Sequence, residues 1–142
     1  AKYSVDKSII ILDKNKYIKT EDHLNLYNKV DIALDTFPYT GVTTTFEALW
    51  KGVPVITMAG HNFKSRCGES ILKNAKLETL ICSDSNDYIN KTLKLAKDVD
   101  YLKKLRTELF GSVLATPLFD NKKYALELQD ILLKKYIRQN YK

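Results

Sequence analysis

The sequence is poor in the residues that cross-link or punctuate small extracellular domains. Only two cysteines, Cys67 and Cys82, occur among 142 residues, together with three prolines and five glycines. Two isolated thiols that show neither metal-site spacing nor a disulfide framework are typical of a reducing cytosol. We therefore predict a cytoplasmic protein that depends on an ordinary hydrophobic core rather than on cross-links.

Features of membrane and metal-binding proteins are also missing. No apolar run approaches the roughly 18 residues that a membrane-spanning helix needs, and no signal peptide is visible. The only two histidines, His23 and His61, lie far apart in the sequence. We therefore expect no membrane partner and no metal cofactor.

The charge is moderately basic without being concentrated. Lys and Arg number 23 against 17 Asp and Glu, a formal net charge of +6, and the lysines are spread along the chain. The sequence shows no zinc-ligand set and no aromatic–basic platform of the kind that nucleic-acid-binding proteins use. We therefore expect no nucleic-acid partner.

Apolar runs alternate with helical spacings along the chain. The runs predict strands at 8–12, 31–35, 53–58 and 77–82, and the spacings predict helices at 20–29, 43–51, 64–75, 85–98, 100–113 and 121–138. This alternation predicts an α/β fold, a three-layer Rossmann-like parallel sheet of about four strands with right-handed crossovers. Residues 1–7 are polar and expected to be disordered. The chain starts at Ala1 and enters a strand almost at once, so residues 1–142 look like a single partial domain.

Three apolar helix faces are predicted to pack. Trp50 on helix 43–51 is expected to face the sheet, so that its truncation would cost roughly 3–5 kcal/mol. Helix 85–98 carries Tyr88, Ile89, Leu93 and Ala96 at helical spacing. The last helix has a stripe that is expected either to fold back on the sheet or to pair with a second copy; it consists of Tyr124, Leu128, Ile131, Leu132 and Tyr136.

Residues 31–60 are the part of the chain most suggestive of a binding site. They run strand, loop, helix, strand, and the Gly41-Val-Thr-Thr turn leads from a strand into a helix. Such turns bind ligands in open α/β sheets, because the first N–H groups and the helix dipole attract phosphate. The alternative is that Thr43 and Thr44 only cap the helix, with Thr44 and Glu47 as a capping box. Asp35, at the strand end, is expected to bond backbone amides of loop 36–39.

These residues also carry a resemblance to a known family. The matching segments are Asp31-x-x-Leu-Asp-Thr-x-Pro, Gly-x-Thr-Thr-x-x-Glu-Ala-Leu-Trp-x-Gly-Val-Pro-Val-x-Thr and Ser65-Arg-x-Gly68. Together they resemble the carboxyl-terminal catalytic lobe of the O-linked N-acetylglucosamine transferases and SPINDLY-type transferases, from about Thr20 onward. The resemblance implies the second half of a GT-B lobe with extra carboxyl-terminal helices.

The resemblance also implies roles for individual residues. Gly41, Thr43 and Thr44 would contact the diphosphate of a nucleotide-sugar donor, Glu47 would accept hydrogen bonds from the ribose, and His23 would lie near the base. Ser65 and Arg66 would lie beside the donor pocket, although a solvated helix arginine is the alternative reading of Arg66. His61 falls outside the pattern and is interpreted as a surface residue. No catalytic residue is identified.

The reaction that the resemblance implies moves a sugar, expected to be N-acetylglucosamine, from a UDP-linked donor to a Ser or Thr hydroxyl of a protein acceptor. Acceptor binding and any general base would come largely from outside these residues, so this chain alone is expected to be inactive. Two rival interpretations are a nucleotide-binding module without catalysis and an interaction domain with an empty pocket. Titration with UDP and GDP distinguishes these two interpretations, because an interaction domain should bind neither nucleotide.

Overall fold

The computed structural model describes residues 19–140, which form a parallel sheet with helices around it. The strands are β1 (Ala33–Leu34), β2 (Val55–Met58) and β3 (Ile81–Cys82), in that order across the sheet. Ala33 lies opposite Val55 and Thr57 opposite Ile81, both pairings parallel. The predicted α/β class with a parallel sheet is confirmed. The strand expected at 8–12 and the disorder expected at 1–7 lie outside the described residues.

Within the described residues, six α-helices and three short 3₁₀ turns precede, connect and follow the strands. The helices are α1 (Thr20–Leu26), α2 (Thr43–Trp50), α3 (Phe63–Asn74), α4 (Ser85–Lys97), α5 (Val99–Leu114) and α6 (Asn121–Asn140). The turns are Tyr27–Lys29, Glu78–Leu80 and Pro117–Phe119. β3 is shorter than predicted because the 3₁₀ turn takes up the first part of the 77–82 run.

The core lies on both faces of β2. Val55, Ile56 and Thr57 are all buried, and successive strand residues point to opposite faces, so both faces of the sheet are covered. The buried apolar side chains are Ala48, Leu49, Val53, Val55, Ile56, Ile71, Leu72, Ala75, Leu80, Cys82, Leu95, Leu102, Leu109 and Val113. α2, α3, α4 and α5 each bury apolar residues in this core.

The prediction that Trp50 packs in the core is wrong. Its side chain is 48% exposed, while Ala48 and Leu49 are buried. Consecutive helix residues point about 100° apart, so burying Leu49 turns Trp50 toward the edge of the interface. The indole packs edge-on against Phe110 at 5.1 Å and lies 5.6 Å from Phe119, between ring centroids. Truncating it is therefore expected to cost roughly 1–2 kcal/mol rather than the 3–5 of a buried aromatic.

The predicted inward stripe of α4 is right for Tyr88, which packs against the core, and wrong for its other three residues. Ile89, Leu93 and Ala96 are exposed, and Leu95 is the buried residue of this helix. The face of α4 that packs against the sheet carries Tyr88, Lys91 and Leu95, which are also three and four positions apart. Lys91 can lie there because its ammonium donates to the Ile81 carbonyl oxygen at 2.5 Å while its stem covers apolar surface.

α6 follows the Pro117–Phe119 turn and lies apart from the core. The five side chains of its predicted stripe are between 41% and 67% exposed, and all its described side chains are exposed. The alternative in which the stripe folds back on the sheet is not seen in the described residues, so pairing with a second copy stays a prediction. Within residues 19–140 no helix combines the length and apolar character needed to cross a membrane.

Candidate functional site

The amino end of α2 has no side-chain cap. Its N-cap residue is Val42, and no side chain of the described residues caps it by accepting a hydrogen bond. The first bond of the helical ladder runs from the Phe46 N–H to the Val42 carbonyl, so the N–H groups of Thr43 and Thr44 precede the ladder. Both threonine side chains are exposed. The capping box considered for Thr44 and Glu47 is not formed, and the helix start is available to a ligand.

A buried carboxylate holds the turn below that helix start. Asp35 accepts from the Gly41 N–H at 2.6 Å through Oδ1 and from the Thr57 hydroxyl at 2.7 Å through Oδ2. Burial raises the pKa of Asp35, and these two hydrogen bonds act in the opposite direction. Asp35 thus binds a loop amide as expected, but the amide belongs to Gly41 rather than to loop 36–39.

The same turn is tied to α3. Thr40 donates both its N–H, at 3.1 Å, and its hydroxyl, at 2.9 Å, to the Lys64 carbonyl oxygen. The Gly68 N–H in turn donates to the Thr40 hydroxyl oxygen at 3.3 Å. The backbone on either side of Gly41 is therefore fixed by the sheet end on one side and by α3 on the other.

Glu47 lies one turn into α2 and meets two residues of the first helical segment. Its Oε2 atom is 3.0 Å from His23 Nε2 and accepts from the Tyr27 hydroxyl at 3.2 Å. Burial, followed by the charge and the hydrogen bond of Glu47, raises the pKa of Tyr27 to about 12. The structure thus brings together His23 and Glu47, two predicted site residues 24 positions apart in the sequence. Oε1 of Glu47 accepts no hydrogen bond within residues 19–140.

A cavity of about 330 Å³ opens beside the helix start. Its walls include Gly41 and Thr44 from the start of α2 and Tyr27 from the 3₁₀ turn that follows α1. The remaining lining residues are Ala33, Leu34, Asp35, Thr36, Tyr39, Thr45 and Val55. The cavity therefore lies at the carboxyl end of β1, where open α/β sheets bind their ligands.

A second, larger cavity of about 560 Å³ is lined by Val42 and by residues of α3. Arg66 lines it, together with Phe63 and Lys73 of α3, but Ser65 does not. Ser65 is buried in a capping box with Asn62, each accepting from the backbone N–H of the other. The structure therefore separates Ser65 and Arg66, which sequence reasoning grouped, and places His61 on the surface as expected.

Arg66 belongs to an ion-pair group on α3. Its Nε lies 3.3 Å from Glu69 Oε2, and Lys73 Nζ lies 2.7 Å from Glu69 Oε1. The hydrogen bond from Lys73, opposed by burial and assisted by Arg66, holds the pKa of Glu69 below its usual value. Within the described part of the chain no three His, Cys, Asp or Glu side chains are grouped so that they could hold a metal ion.

Sequence reasoning missed Tyr27 and Thr57 as site residues. Tyr27 follows His23 by four positions, which puts the two side chains on one helical face, and that spacing was a usable signal. Thr57 is the one polar residue in the apolar run from Val55 to Met58, and a hydroxyl in a buried strand needs a partner. Neither signal alone identified Glu47 or Asp35 as that partner.

Comparison with known proteins gives concordant matches. The sequence model of glycosyl transferase family 41 matches residues 1–128. A Solanum lycopersicum protein, named as a probable UDP-N-acetylglucosamine–peptide N-acetylglucosaminyltransferase SPINDLY, is 40% identical over 110 residues, which are 78% of this chain and 12% of that protein. The UDP-N-acetylglucosamine–peptide N-acetylglucosaminyltransferase of Caenorhabditis elegans is 30% identical over 112 residues, 79% of this chain and 10% of that protein.

A solved structure shows the same fold. A mutant O-GlcNAc transferase of Thermobaculum terrenum superimposes with a TM-score of 0.74 at 37% identity, over 81% of this chain and 22% of that one. The chain therefore corresponds to one part of much longer relatives, and spans only 12% of the length of the tomato protein.

Proposed function

The chain belongs to glycosyl transferase family 41, and from this premise we propose that residues 19–140 form the donor-binding part of a nucleotide-sugar-dependent glycosyltransferase. The reaction is transfer of N-acetylglucosamine from UDP to Ser or Thr hydroxyls of a protein acceptor. The names of the relatives support the kind of reaction. The donor-binding role rests on one observation. The start of α2 has no side-chain cap within the described residues, and the turn before it is held in place by the hydrogen bond from the Gly41 N–H to Asp35.

The diphosphate of the donor is placed at this helix start. The N–H groups of Thr43 and Thr44, their hydroxyls and the positive end of the helix dipole all favour an anion there. Gly41 contributes space rather than a donor, since its N–H already binds Asp35 and a Cβ at Gly41 would lie 2.3 Å from Thr44 Oγ1. These groups stabilise the negative charge that grows on the leaving diphosphate as the glycosidic bond breaks. The proposal needs no metal ion.

The nucleoside is placed beside Glu47 and His23. With Oε2 of Glu47 held by His23 and Tyr27, Oε1 is the atom that accepts a ribose hydroxyl. His23 packs edge-on against Tyr27, with ring centroids 5.8 Å apart, and its remaining ring edge lies toward the base. Acceptor binding and the general base are assigned to parts of the protein outside these residues.

Nuclear magnetic resonance titration of the 142-residue chain tests the donor-binding role. We expect UDP and inorganic pyrophosphate to shift the amide signals of Thr43 and Thr44, with GDP as the probe of base preference. Replacing both threonines by Ala should weaken UDP binding at least about tenfold, which corresponds to roughly 1.4 kcal/mol. Thr107→Ala, an exposed threonine on α5, is the matched control and should bind as the parent does.

A lack of shifts at Thr43 and Thr44 in millimolar UDP, GDP and pyrophosphate would contradict the donor-binding role. The transfer reaction itself needs the natural full-length chain. Mass spectrometry of acceptor peptides incubated with that chain and a panel of nucleotide sugars should show N-acetylglucosamine addition with the UDP-linked donor. Peptides that gain no sugar, from a chain that binds UDP, would favour a nucleotide-binding module without catalysis.

A further inference from the structure

Asp35 is a buried carboxylate without a cationic partner. It is 8% exposed, and no Lys, Arg or His forms an ion pair with it within residues 19–140. Glu69 is equally buried but has two cations, Arg66 and Lys73. Burying an unpaired carboxylate is costly unless hydrogen bonds satisfy it. A neutral side chain would be the cheaper choice if only packing were required at this position.

The hydrogen bonds of Asp35 converge on the diphosphate turn. Its side chain connects the Gly41 N–H to the Thr57 hydroxyl of β2, and its own carbonyl accepts from the Tyr88 hydroxyl of α4 at 3.0 Å. An ionised carboxylate has two acceptor oxygens and no donor, which matches two donors that approach from opposite sides. The Gly41 N–H is thereby occupied by the carboxylate of Asp35.

The carboxylate of Asp35 is tightly enclosed by its neighbours. A Cβ at Gly68 would lie 2.2 Å from Asp35 Oδ2 and 2.5 Å from Thr57 Oγ1. Gly68 therefore leaves room for the carboxylate between α3 and β2. An alanine there must displace the carboxylate or the helix, and a displaced carboxylate no longer holds Gly41 at the same point.

We propose that Asp35 is a positioning residue for the donor diphosphate. By binding the Gly41 N–H and anchoring it to Thr57, Asp35 sets the turn so that the N–H groups of Thr43 and Thr44 face the ligand. Asp35 does not itself touch the diphosphate. This role rests on the proposed function and adds to it the residue that orients the anion-binding groups.

The test compares ligands that do and do not carry the diphosphate. Dissociation constants of UDP, inorganic pyrophosphate and uridine are measured by nuclear magnetic resonance for the parent chain and for Asp35→Asn, Asp35→Ala and Gly68→Ala. Gly111→Ala is the matched control, since a Cβ at Gly111 meets nothing within 4 Å. We expect the affinity for UDP and pyrophosphate to fall about tenfold in Asp35→Ala and Gly68→Ala, with uridine unchanged. Asp35→Asn, which keeps one acceptor oxygen, should lie between Asp35→Ala and the parent.

A spectroscopic signature separates positioning from general stability. The Gly41 amide proton, bound to a carboxylate, should lie downfield in the parent and move upfield in Asp35→Asn and Gly68→Ala, while Gly111→Ala leaves it in place. All binding is measured well below the midpoint of thermal unfolding. If Asp35→Ala does not fold, Asp35→Asn and Gly68→Ala carry the test.

The outcomes distinguish this inference from the proposed function. If the parent chain binds neither UDP nor pyrophosphate, the donor-binding role fails and the positioning role falls with it. If the parent binds both, but all folded variants bind them within twofold of the parent, only the positioning role of Asp35 is overturned. An equal loss for uridine, UDP and pyrophosphate would also overturn it, because it would indicate a general structural defect.

Discussion

The starts of α2 and α3 lie side by side at the carboxyl end of the sheet, yet they are built in opposite ways. At α3, Asn62 and Ser65 cap the first turn with their side chains. At α2, Val42 offers no cap, and the threonine side chains that follow are exposed. Helix starts in this fold are therefore not left open by default. α3, α4 and α5 are capped by side chains of the described residues, whereas α1 and α2 are not, and the start of α2 is the one that the family pattern assigns to the donor.

The two buried carboxylates differ in the same way. Glu69, within α3, is surrounded by Lys73 and Arg66, and its pKa is lowered. Asp35, below the start of α2, has only hydrogen bonds, and burial raises its pKa. The ion pairs of α3 thus stabilise its buried carboxylate, whereas the α2 region keeps a buried carboxylate that has hydrogen bonds but no cationic partner within residues 19–140, which agrees with the proposed role of that region in binding the donor.

Among the substitutions that test this contrast, Gly60→Ala is expected to lower the free energy of unfolding most. A Cβ at Gly60 would lie 2.5 Å from the Ser65 backbone oxygen and 2.1 Å from its hydroxyl. Backbone cannot move aside as a side chain can, so we expect a loss of roughly 2–3 kcal/mol in denaturant unfolding. In Gly41→Ala the new Cβ would clash chiefly with the Thr44 hydroxyl, a side-chain atom that can rotate away. This substitution should therefore cost less stability than Gly60→Ala, but it should weaken UDP binding. Equal stability losses for the two would contradict the contrast.

Glu69→Gln should produce a smaller loss that depends on pH. The folded-state pKa of Glu69 is lowered, so its stabilisation is present above the ordinary value of 4.5 and is lost as the pH falls through the folded-state pKa. Its cationic partners are more than half exposed, so we expect only about 1–2 kcal/mol at neutral pH. Unfolding curves of parent and variant at neutral and acid pH should converge in acid.

Asp35→Asn should show the opposite pH dependence. The folded-state pKa of Asp35 is raised, so its favourable contribution is present below the ordinary value of 3.8 and is lost as the pH rises through the folded-state pKa. Relative to the parent, the variant should therefore gain stability as the pH rises over this interval. A parent that gains stability relative to Asp35→Asn with rising pH would show that the hydrogen bonds outweigh burial.

Removing the cap of α3 should cost about 1 kcal/mol. Asn62→Ala deletes the acceptor of the Ser65 N–H, and losses of this size are usual for an N-cap asparagine. Because Asn62 does not touch the α2 turn, the affinity for UDP should be unchanged. Thermal unfolding measured together with UDP titration checks both parts, and a loss of UDP affinity would show that the two helix starts are coupled.

The smallest stability change is expected from Thr44→Ala. The Thr44 side chain is exposed and makes no hydrogen bond to any residue in the range 19–140, so its removal should change the unfolding free energy by less than about 0.5 kcal/mol. UDP affinity should nevertheless fall. A variant that loses more stability than Asn62→Ala would mean that Thr44 supports the helix rather than the ligand.

The order of the elements and the location of the site could be predicted from the sequence. Apolar runs and helical spacing located the described strands and α-helices but not the 3₁₀ turns Glu78–Leu80 and Pro117–Phe119. Gly41 with Thr43 and Thr44 marked the start of α2. Individual side chains were harder to place. Trp50 and Leu49 are adjacent and both apolar, and only the packing against β2 decides which of them is buried. On α4 two faces satisfy the same helical spacing, and Lys91 occupies the inner one because its stem is apolar.

Contacts across the sheet could not be derived from local pattern. The bonds from Asp35 to Thr57 and from Glu47 to His23 join residues more than 20 positions apart, and their geometry depends on how the strands and helices assemble. The resemblance to a family predicted that His23 and Glu47 lie near the same nucleotide, and therefore near each other. Neither spacing nor resemblance indicated that Tyr27 shares the same Glu47 oxygen.

Trp50 has a practical consequence as a built-in optical probe. It is the single tryptophan of the chain, so intrinsic fluorescence excited at the red edge of the absorption band reports one location. That location is the far end of α2, roughly 10 Å along the axis from Thr43, against Phe119 at the turn that leads into α6. Because the indole is about half exposed, its emission is expected to be that of a partly solvated tryptophan. Contact quenching should fall and the emission should shift to the blue when another surface covers this edge, so assembly can be followed without an added dye.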